Sequence, residues 1–325
     1  MQLTSHTIFN ATALASHLKN EYDIGTIESC HLWRCSVNDV FRLEANGRQW
    51  WLRIHPYGWR TPSQTHTEIG ALLQLAQAGA SVVRPVARTT GDYLLALEAA
   101  EGSRTAVLFE HAAGVEVSYS GPEGTKNASR YGCAAAKLHD ACDTLRASAQ
   151  YMRIDLDFIL LDPIRKIIPF LGADERAYLL GLSIKLTELI QAHTLTTDFC
   201  HGDLNSSNIH FSDNGPCVFD FDCSGWGWRA FELAAFARGM TWSSGPTPAN
   251  QALISAYFDG YRSQHTVTAD DFSIQSAMLL VQRIWVTALH LSMASRIGSF
   301  YFGPPYAVKL IEWLRLWEPE LKSRN

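Results

Sequence analysis

Residues 200–211 read CHGDLNSSNIHF, and they set His201, Asp203 and Asn208 into a stretch that is otherwise half apolar. A loop of this length can return to its own starting side, so the Asp203 carboxylate and the Asn208 amide oxygen can face one point. A turn follows at Asp213-Asn214-Gly215, then the apolar run of GPCVFDFDCSG, which ends on Asp220 with Asp222 two residues on. The order is therefore acid, amide, turn, apolar strand, acid.

The rest of the chain has to house that loop. With 325 residues, 47% of them hydrophobic and 18% charged, it buries a large core and divides into two domains or lobes. Twenty-seven basic against 32 acidic side chains give a net charge of −5, without the concentrated basic face that a nucleic-acid partner requires. The start, MQLTSHTIFN, has no basic stretch followed by an apolar one and does not read as a secretory leader. The most apolar long run, residues 276–294, is interrupted by Gln282, Arg283 and His290, which makes it a buried helix instead of a membrane span. Seven scattered cysteines without paired C-x-x-C spacing read as reduced thiols, hence a cytoplasmic protein. The number of subunits is left open.

Secondary-structure signals divide the chain. Asn10 caps a short helix over 10–20. Alternating runs near 26–35, 38–45 and 48–55 read as strands, with Asn46-Gly47 as a hairpin turn between the last two. Thr61-Pro62 opens a helix that closes at Gly79, and residues 81–88, 93–97 and 105–114 are further strand candidates. Beyond about residue 125 the pattern becomes helical, over 126–146, 173–193, 229–240, 248–264, 270–296 and 304–317, with only 200–225 strand-like. The expectation is an α+β chain: an N-terminal lobe, residues 1–111, built as a small antiparallel sheet with one inserted helix, and a larger, mainly helical C-terminal lobe, residues 112–325.

Phosphoryl transfer asks little covalent chemistry of a protein; it asks for positioned charge. One acid must meet the attacking hydroxyl, and oxygen ligands must hold the divalent ions that bridge the nucleotide's phosphates. Asp203 fits the first role, and Asn208 and Asp220 fit the second. For Asp222 two readings stand, a ligand to a second ion or a solvated acid on the same strand. The stretch HGDLNSSNIHF together with VFDFDCSGWGWRAFELAAF resembles the aminoglycoside phosphotransferase family, which also includes choline kinases and bacterial homoserine kinases and has the two-lobed protein-kinase-like fold. The resemblance implies ATP and Mg²⁺ as cofactors, Asp203 as catalytic base, His201 as the residue that packs and orients the loop, and Asn208 and Asp220 as metal ligands. Glu232 stands where the family usually has Asp.

A kinase lobe also needs a base on its third strand for the α and β phosphates and a helix acid to hold that base. Arg53 and Glu68 are the candidates, with a solvated arginine and glutamate as the alternative. No glycine-rich loop is present; Ser36, Val37 and Asn38 occupy the turn that would cover the phosphates, or form an ordinary β-turn. The lobe connection would present Glu110, His111 and Ala112 to adenine, with Leu108 and Phe109 as its apolar wall. His139 reads as a structural hydrogen-bonding residue. By the resemblance, the acceptor's chemistry lies in 150–165 and 270–317: Asp155, Asp157 and Asp162 would suit a polyamine antibiotic, Arg283 or Arg296 a carboxylate such as that of homoserine. The expected activity is transfer of phosphate from ATP to a small-molecule hydroxyl, with a stress-response type serine/threonine protein kinase or a regulatory pseudokinase as alternatives.

Overall fold

The structure is a computed structural model that describes residues 4–321. Its N-terminal part begins with α1 (Ala11–Glu21), capped where the Asn10 side chain accepts from the Ala13 N–H at 3.0 Å. Strands β1 (Ile27–Cys35), β2 (Asp39–Ala45) and β3 (Arg48–Ile54) then run antiparallel. Asn46 and Gly47 both take positive φ, as a tight hairpin between right-twisted strands requires. Helix α2 (Pro62–Gln77) opens on a reciprocal Thr61–Gln64 capping box, and β4 (Leu94–Ala99) and β5 (Gly102–Glu110) complete a sheet of order β1-β2-β3-β5-β4. Helix α1 joins this part by packing Leu14 and Leu18 against Phe41, Leu43 and Leu52 of the sheet.

Residues 81–88, expected as a strand, do not join the sheet as one. They straddle two elements: the Val86 N–H donates to the Leu108 carbonyl at 2.8 Å, while Val83 and Ser81 bond the backbone of Val218 in the hairpin described next. Pro85 lacks an N–H and cannot continue a ladder, so the segment makes isolated bridges and ties the sheet to the chain that carries Asp220.

The remainder is mostly helical. It comprises α3 (Gly124–Cys142), the short β6 (Arg153–Ile154), α4 (Asp162–Ile167), α5 (Ala173–Gln191), β7 (Thr197–Cys200), the hairpin β8 (Ile209–Ser212) and β9 (Gly215–Val218), and β10 (Gly225–Trp228). Then follow α6 (Arg229–Met240), α7 (Pro248–Arg262), α8 (Ala269–Ser273), α9 (Gln275–Ser292), α10 (Ala294–Ile297) and α11 (Pro304–Trp317). The single helix expected over 270–296 is three. The Gln275 side chain donates to the Asp271 carbonyl at 2.7 Å, taking the acceptor that the backbone of a continuous helix would use.

Helices α3 and α7 approach closely because each has a glycine at the crossing. A Cβ on Gly132 would lie 2.0 Å from the Tyr257 carbonyl oxygen, and one on Gly260 would lie 2.0 Å from that of Ser129. Both contacts are with backbone, so the helices would have to separate. Gly132→Ala and Gly260→Ala are each expected to lower stability by about 1–3 kcal/mol through overpacking. Gly181→Ala, on an open face of α5 with nothing within 4 Å, should instead raise it by about 0.5–1 kcal/mol. Urea unfolding midpoints of the three variants check the contrast in sign.

Candidate active site

The loop between β7 and β8 is held from four directions. The His201 ring is fully buried, donates from Nε2 to the Phe219 carbonyl at 2.9 Å and accepts the Asp203 N–H on Nδ1 at 3.3 Å. That pair of bonds sets a neutral ring. Gly202 has φ +84, and a Cβ there would meet the Cys223 carbonyl oxygen at 2.1 Å, so only glycine fits. Its N–H donates to Glu232 Oε2 at 2.6 Å; Glu232 Oε1 accepts from His139 Nε2 at 2.6 Å, and His139 Nδ1 meets the Tyr261 hydroxyl at 2.6 Å. Burial pushes the Glu232 pKa up, but these donors outweigh it and the carboxyl lies below its ordinary range; burial holds His139 neutral. Glutamate therefore braces the loop despite its extra methylene, and His139 acts through hydrogen bonds alone. From α3, the Tyr131 hydroxyl donates to the Leu204 carbonyl at 2.9 Å.

These restraints bring the loop and the following acid together. Asn208 Nδ2 donates to the Asp203 carbonyl at 3.0 Å, which leaves the amide oxygen for another partner, and the Phe219 N–H donates to the Asn208 carbonyl at 3.0 Å. Asp220 follows at φ +68, a left-handed conformation that costs a non-glycine residue on the order of 1–3 kcal/mol. Burial raises its pKa, with Asp222 repelling it further. A strained, partly desolvated carboxylate and an amide oxygen left for another partner are oxygen donors of the kind hard divalent cations take.

Across the cleft, Arg53 on β3 forks its Nη2 onto both oxygens of Glu68 at 2.7 and 2.8 Å, and its Nη1 lies 3.5 Å from Asp220 Oδ1. Both members of the pair are buried, so neither is the solvated surface charge of the alternative reading. Phe109 is buried, with the Arg53 guanidinium 4.9 Å above its ring. The Glu110 N–H goes to the Arg84 carbonyl at 2.9 Å, and the Ala112 carbonyl accepts from His210 Nδ1 at 3.1 Å. Trp51 donates to His111 at 3.0 Å and stacks on it at the cleft's edge.

Two expectations change in detail. Asn38 does not offer its side chain to the cleft: Nδ2 donates to Asp222 Oδ2 at 2.7 Å and Oδ1 accepts from His55 at 2.9 Å. Asp222 is correspondingly buried, receives a second donor from Trp59 Nε1 at 3.1 Å, and is not a solvated acid. Ser36 spends its N–H on the Asn38 carbonyl at 3.1 Å, while Arg296 takes the Ser36 and Val37 carbonyls at 2.8 and 3.1 Å. Arg296, a candidate for the acceptor, thus holds the turn between β1 and β2. Asp157 is exposed and Asp155 and Asp162 are half-buried, and the three are paired with Arg165, Arg153 and Lys166 respectively.

Sequence reasoning missed Arg238. It is buried on α6 and donates from Nη2 to Asp203 Oδ1 at 2.8 Å, fixing one oxygen of that carboxylate and leaving the other. An arginine in FELAAFARGM, otherwise apolar but for Glu232, was the available signal, because a charge in such a helix needs a buried partner.

The sequence profile of the phosphotransferase enzyme family matches residues 36–271. The chain belongs to this family. An uncharacterized protein of Deinococcus radiodurans is 31% identical over 321 residues, 96% of this chain and 91% of the relative. Among solved structures, an amicoumacin kinase bound to AMP-PNP and Ca²⁺ superposes with a TM-score of 0.78 at 16% identity, covering 96% of this chain and 94% of the other. A microcompartment-associated aminopropanol kinase gives 0.76 at 21% identity, covering 97% and 98%. Like the rest of the phosphotransferase enzyme family, the chain is an ATP-dependent phosphotransferase with a kinase-like fold. Among the described residues no helix is long and apolar enough to cross a membrane.

Near Arg238, Trp242, His290, Phe302 and Tyr306 form an aromatic cluster, with His290 stacked on Phe302 and its Nδ1 2.5 Å from the Tyr306 hydroxyl. Burial, then the charges of Arg238 and Arg283, lower the His290 pKa to about 4. The unfolded chain takes up this proton near pH 6.5 and the folded one only near 4, so its contribution is complete above pH 6.5 and is lost as pH falls through that window. Replacement by glutamine is expected to remove about 2 kcal/mol of the stability difference between pH 7 and pH 4.5. Denaturant midpoints at the two pH values measure it.

Proposed function

We propose that the protein transfers the γ-phosphate of ATP, as its Mg²⁺ complex, to a hydroxyl of a small molecule. The observation that supports this reading most directly is the hydrogen-bonded junction that ties Asp203, Asn208 and Phe219-Asp220 together through their backbones, with the Asn208 amide oxygen left for another partner. The kinship with kinases whose acceptors are an antibiotic and an amino alcohol supports a small acceptor.

Arg238 holds one oxygen of Asp203 so that the other meets the acceptor hydroxyl. As that hydroxyl oxygen bonds to the γ-phosphorus and the bond to the β-γ bridging oxygen breaks, Asp203 receives the hydroxyl proton and ADP departs with the bridging oxygen. Arg53, oriented by Glu68, meets the phosphates of the nucleotide. Ser36 and Asn38 shape the turn over them, and Phe109, Glu110 and Ala112 line the base. Asn208 and Asp220 would hold Mg²⁺, with the remaining oxygen of Asp222 nearby. Bound there, the cation neutralises charge that develops on the transferring phosphoryl group.

The test is ATP turnover with and without Mg²⁺, together with a phosphate-transfer screen of hydroxyl compounds. Asp203→Ala is expected to lose about 10²–10⁴-fold in turnover with its far-UV spectrum unchanged. Chelation should abolish activity, and added Mg²⁺ should restore it. Equal rates in the parent and the variant would overturn the reading and leave a nucleotide-binding regulatory protein.

A further inference from the structure

Arg283, in the middle of α9, is only 6% exposed, and its Nε and Nη1 are buried without an acceptor. Among the described residues its guanidinium has no hydrogen-bond or ion-pair partner. It is instead stacked 3.5 Å from the centroid of Trp242 and 5.4 Å from that of Trp313. Trp313 is itself fixed, its Nε1 donating to the Thr241 carbonyl at 2.8 Å. An aromatic face offsets part of the cost of burying a cation, but it cannot accept the hydrogen bonds of the guanidinium fork.

The groups around Arg283 add no counter-charge. Arg238 is spent on Asp203, His290 is neutral and bonded to Tyr306, and Phe302 is apolar. Arginine is the side chain whose planar fork matches an oxyanion, and this fork is prearranged with two donors unused. Its position relative to the chemistry follows from α6. Trp242 lies in the turn just past the end of α6, and the charge of Arg238, the residue that holds Asp203, is close enough to act on Arg283, so the guanidinium sits on the same side of α6 as the acid loop.

We propose that Arg283 selects the acceptor by binding an oxyanion on it, a carboxylate in the simplest case, so that the substrates are hydroxy acids or hydroxy-amino acids. Polyamine antibiotics and plain amino alcohols are then poor acceptors. This inference rests on the phosphotransfer reading and narrows it. Asp155, Asp157 and Asp162 are each already paired with a basic neighbour, Arg153, Arg165 and Lys166.

The test uses acceptor pairs that differ by one carboxylate: serine with ethanolamine, homoserine with 3-aminopropanol, and threonine with 1-amino-2-propanol. Glycerol 3-phosphate with glycerol distinguishes a phosphate ester from a carboxylate. Binding to the parent protein with Mg²⁺ and AMP-PNP is followed by tryptophan fluorescence, since Trp242 lies against Arg283, and transfer is followed separately with labelled ATP. At least one acidic member is expected to bind tenfold or more tightly than its partner. Arg283→Gln should abolish that preference, and Arg283→Lys should retain part of it. The proposal is overturned if the amino alcohols bind as well as the acids, if no acidic member binds, or if Arg283→Gln keeps the preference. Should Arg283→Gln fail to fold, the comparison within the parent decides alone. An intact binding preference combined with turnover indifferent to Asp203→Ala would support the inference while counting against phosphotransfer.

Discussion

The cleft is organised by one shared cation. Arg53 projects from β3, is buried, and divides its guanidinium between both oxygens of Glu68 on α2 and, at 3.5 Å, Asp220 at the end of the β8–β9 hairpin. Breaking a buried ion pair of that kind costs about 3–5 kcal/mol, because the remaining charge is left uncompensated. The sheet, α2 and the helical part of the chain must therefore keep one relative position for the charge to be tolerated, and the segment 81–86, bonded to β5 on one side and β9 on the other, enforces the same geometry through backbone.

A second network runs behind the first. Asp222 accepts from Asn38, Asn38 accepts from His55, and the His55 carbonyl accepts from Arg104 Nε at 2.8 Å, whose Nη2 reaches Asp39 at 2.7 Å. The acid two residues past Asp220 is thereby wired into the core of the sheet. Arg296 adds a third tie by holding the carbonyls of the turn between β1 and β2 from α10. These charged and amide ties add to a continuous apolar cluster in which Leu72, Val83 and Phe109 of the N-terminal part pack with Phe199, Ile209 and Val218 of the remainder.

Legibility in the sequence varied with the range of the interaction. The hairpin at Asn46-Gly47, the Thr61 cap and the helical periods of the second half were readable because each is set by neighbours a few residues away. The close approach of His201, Asp203 and Asn208 was readable for the same reason, since they share one short loop. The strand expected over 81–88 and the single helix over 270–296 were not borne out: the segment around Pro85 bonds two distant strands, and the Gln275 side chain is shared between the Asp271 carbonyl and that of Ala230, 45 residues away.

The sequence by itself determined the kind of chemistry: a short loop with an acid and an amide, an apolar hairpin, and another acid, with the glycine and turn residues each requires. Only the tertiary structure decided how the charges are distributed among partners. Arg238 on Asp203, Asn38 on Asp222, Arg296 on the turn and Arg283 on tryptophan faces all join residues dozens to hundreds of positions apart. The physical reason is that a buried charge is stabilised by whatever the fold brings within hydrogen-bonding distance, and that distance is a property of the packed chain.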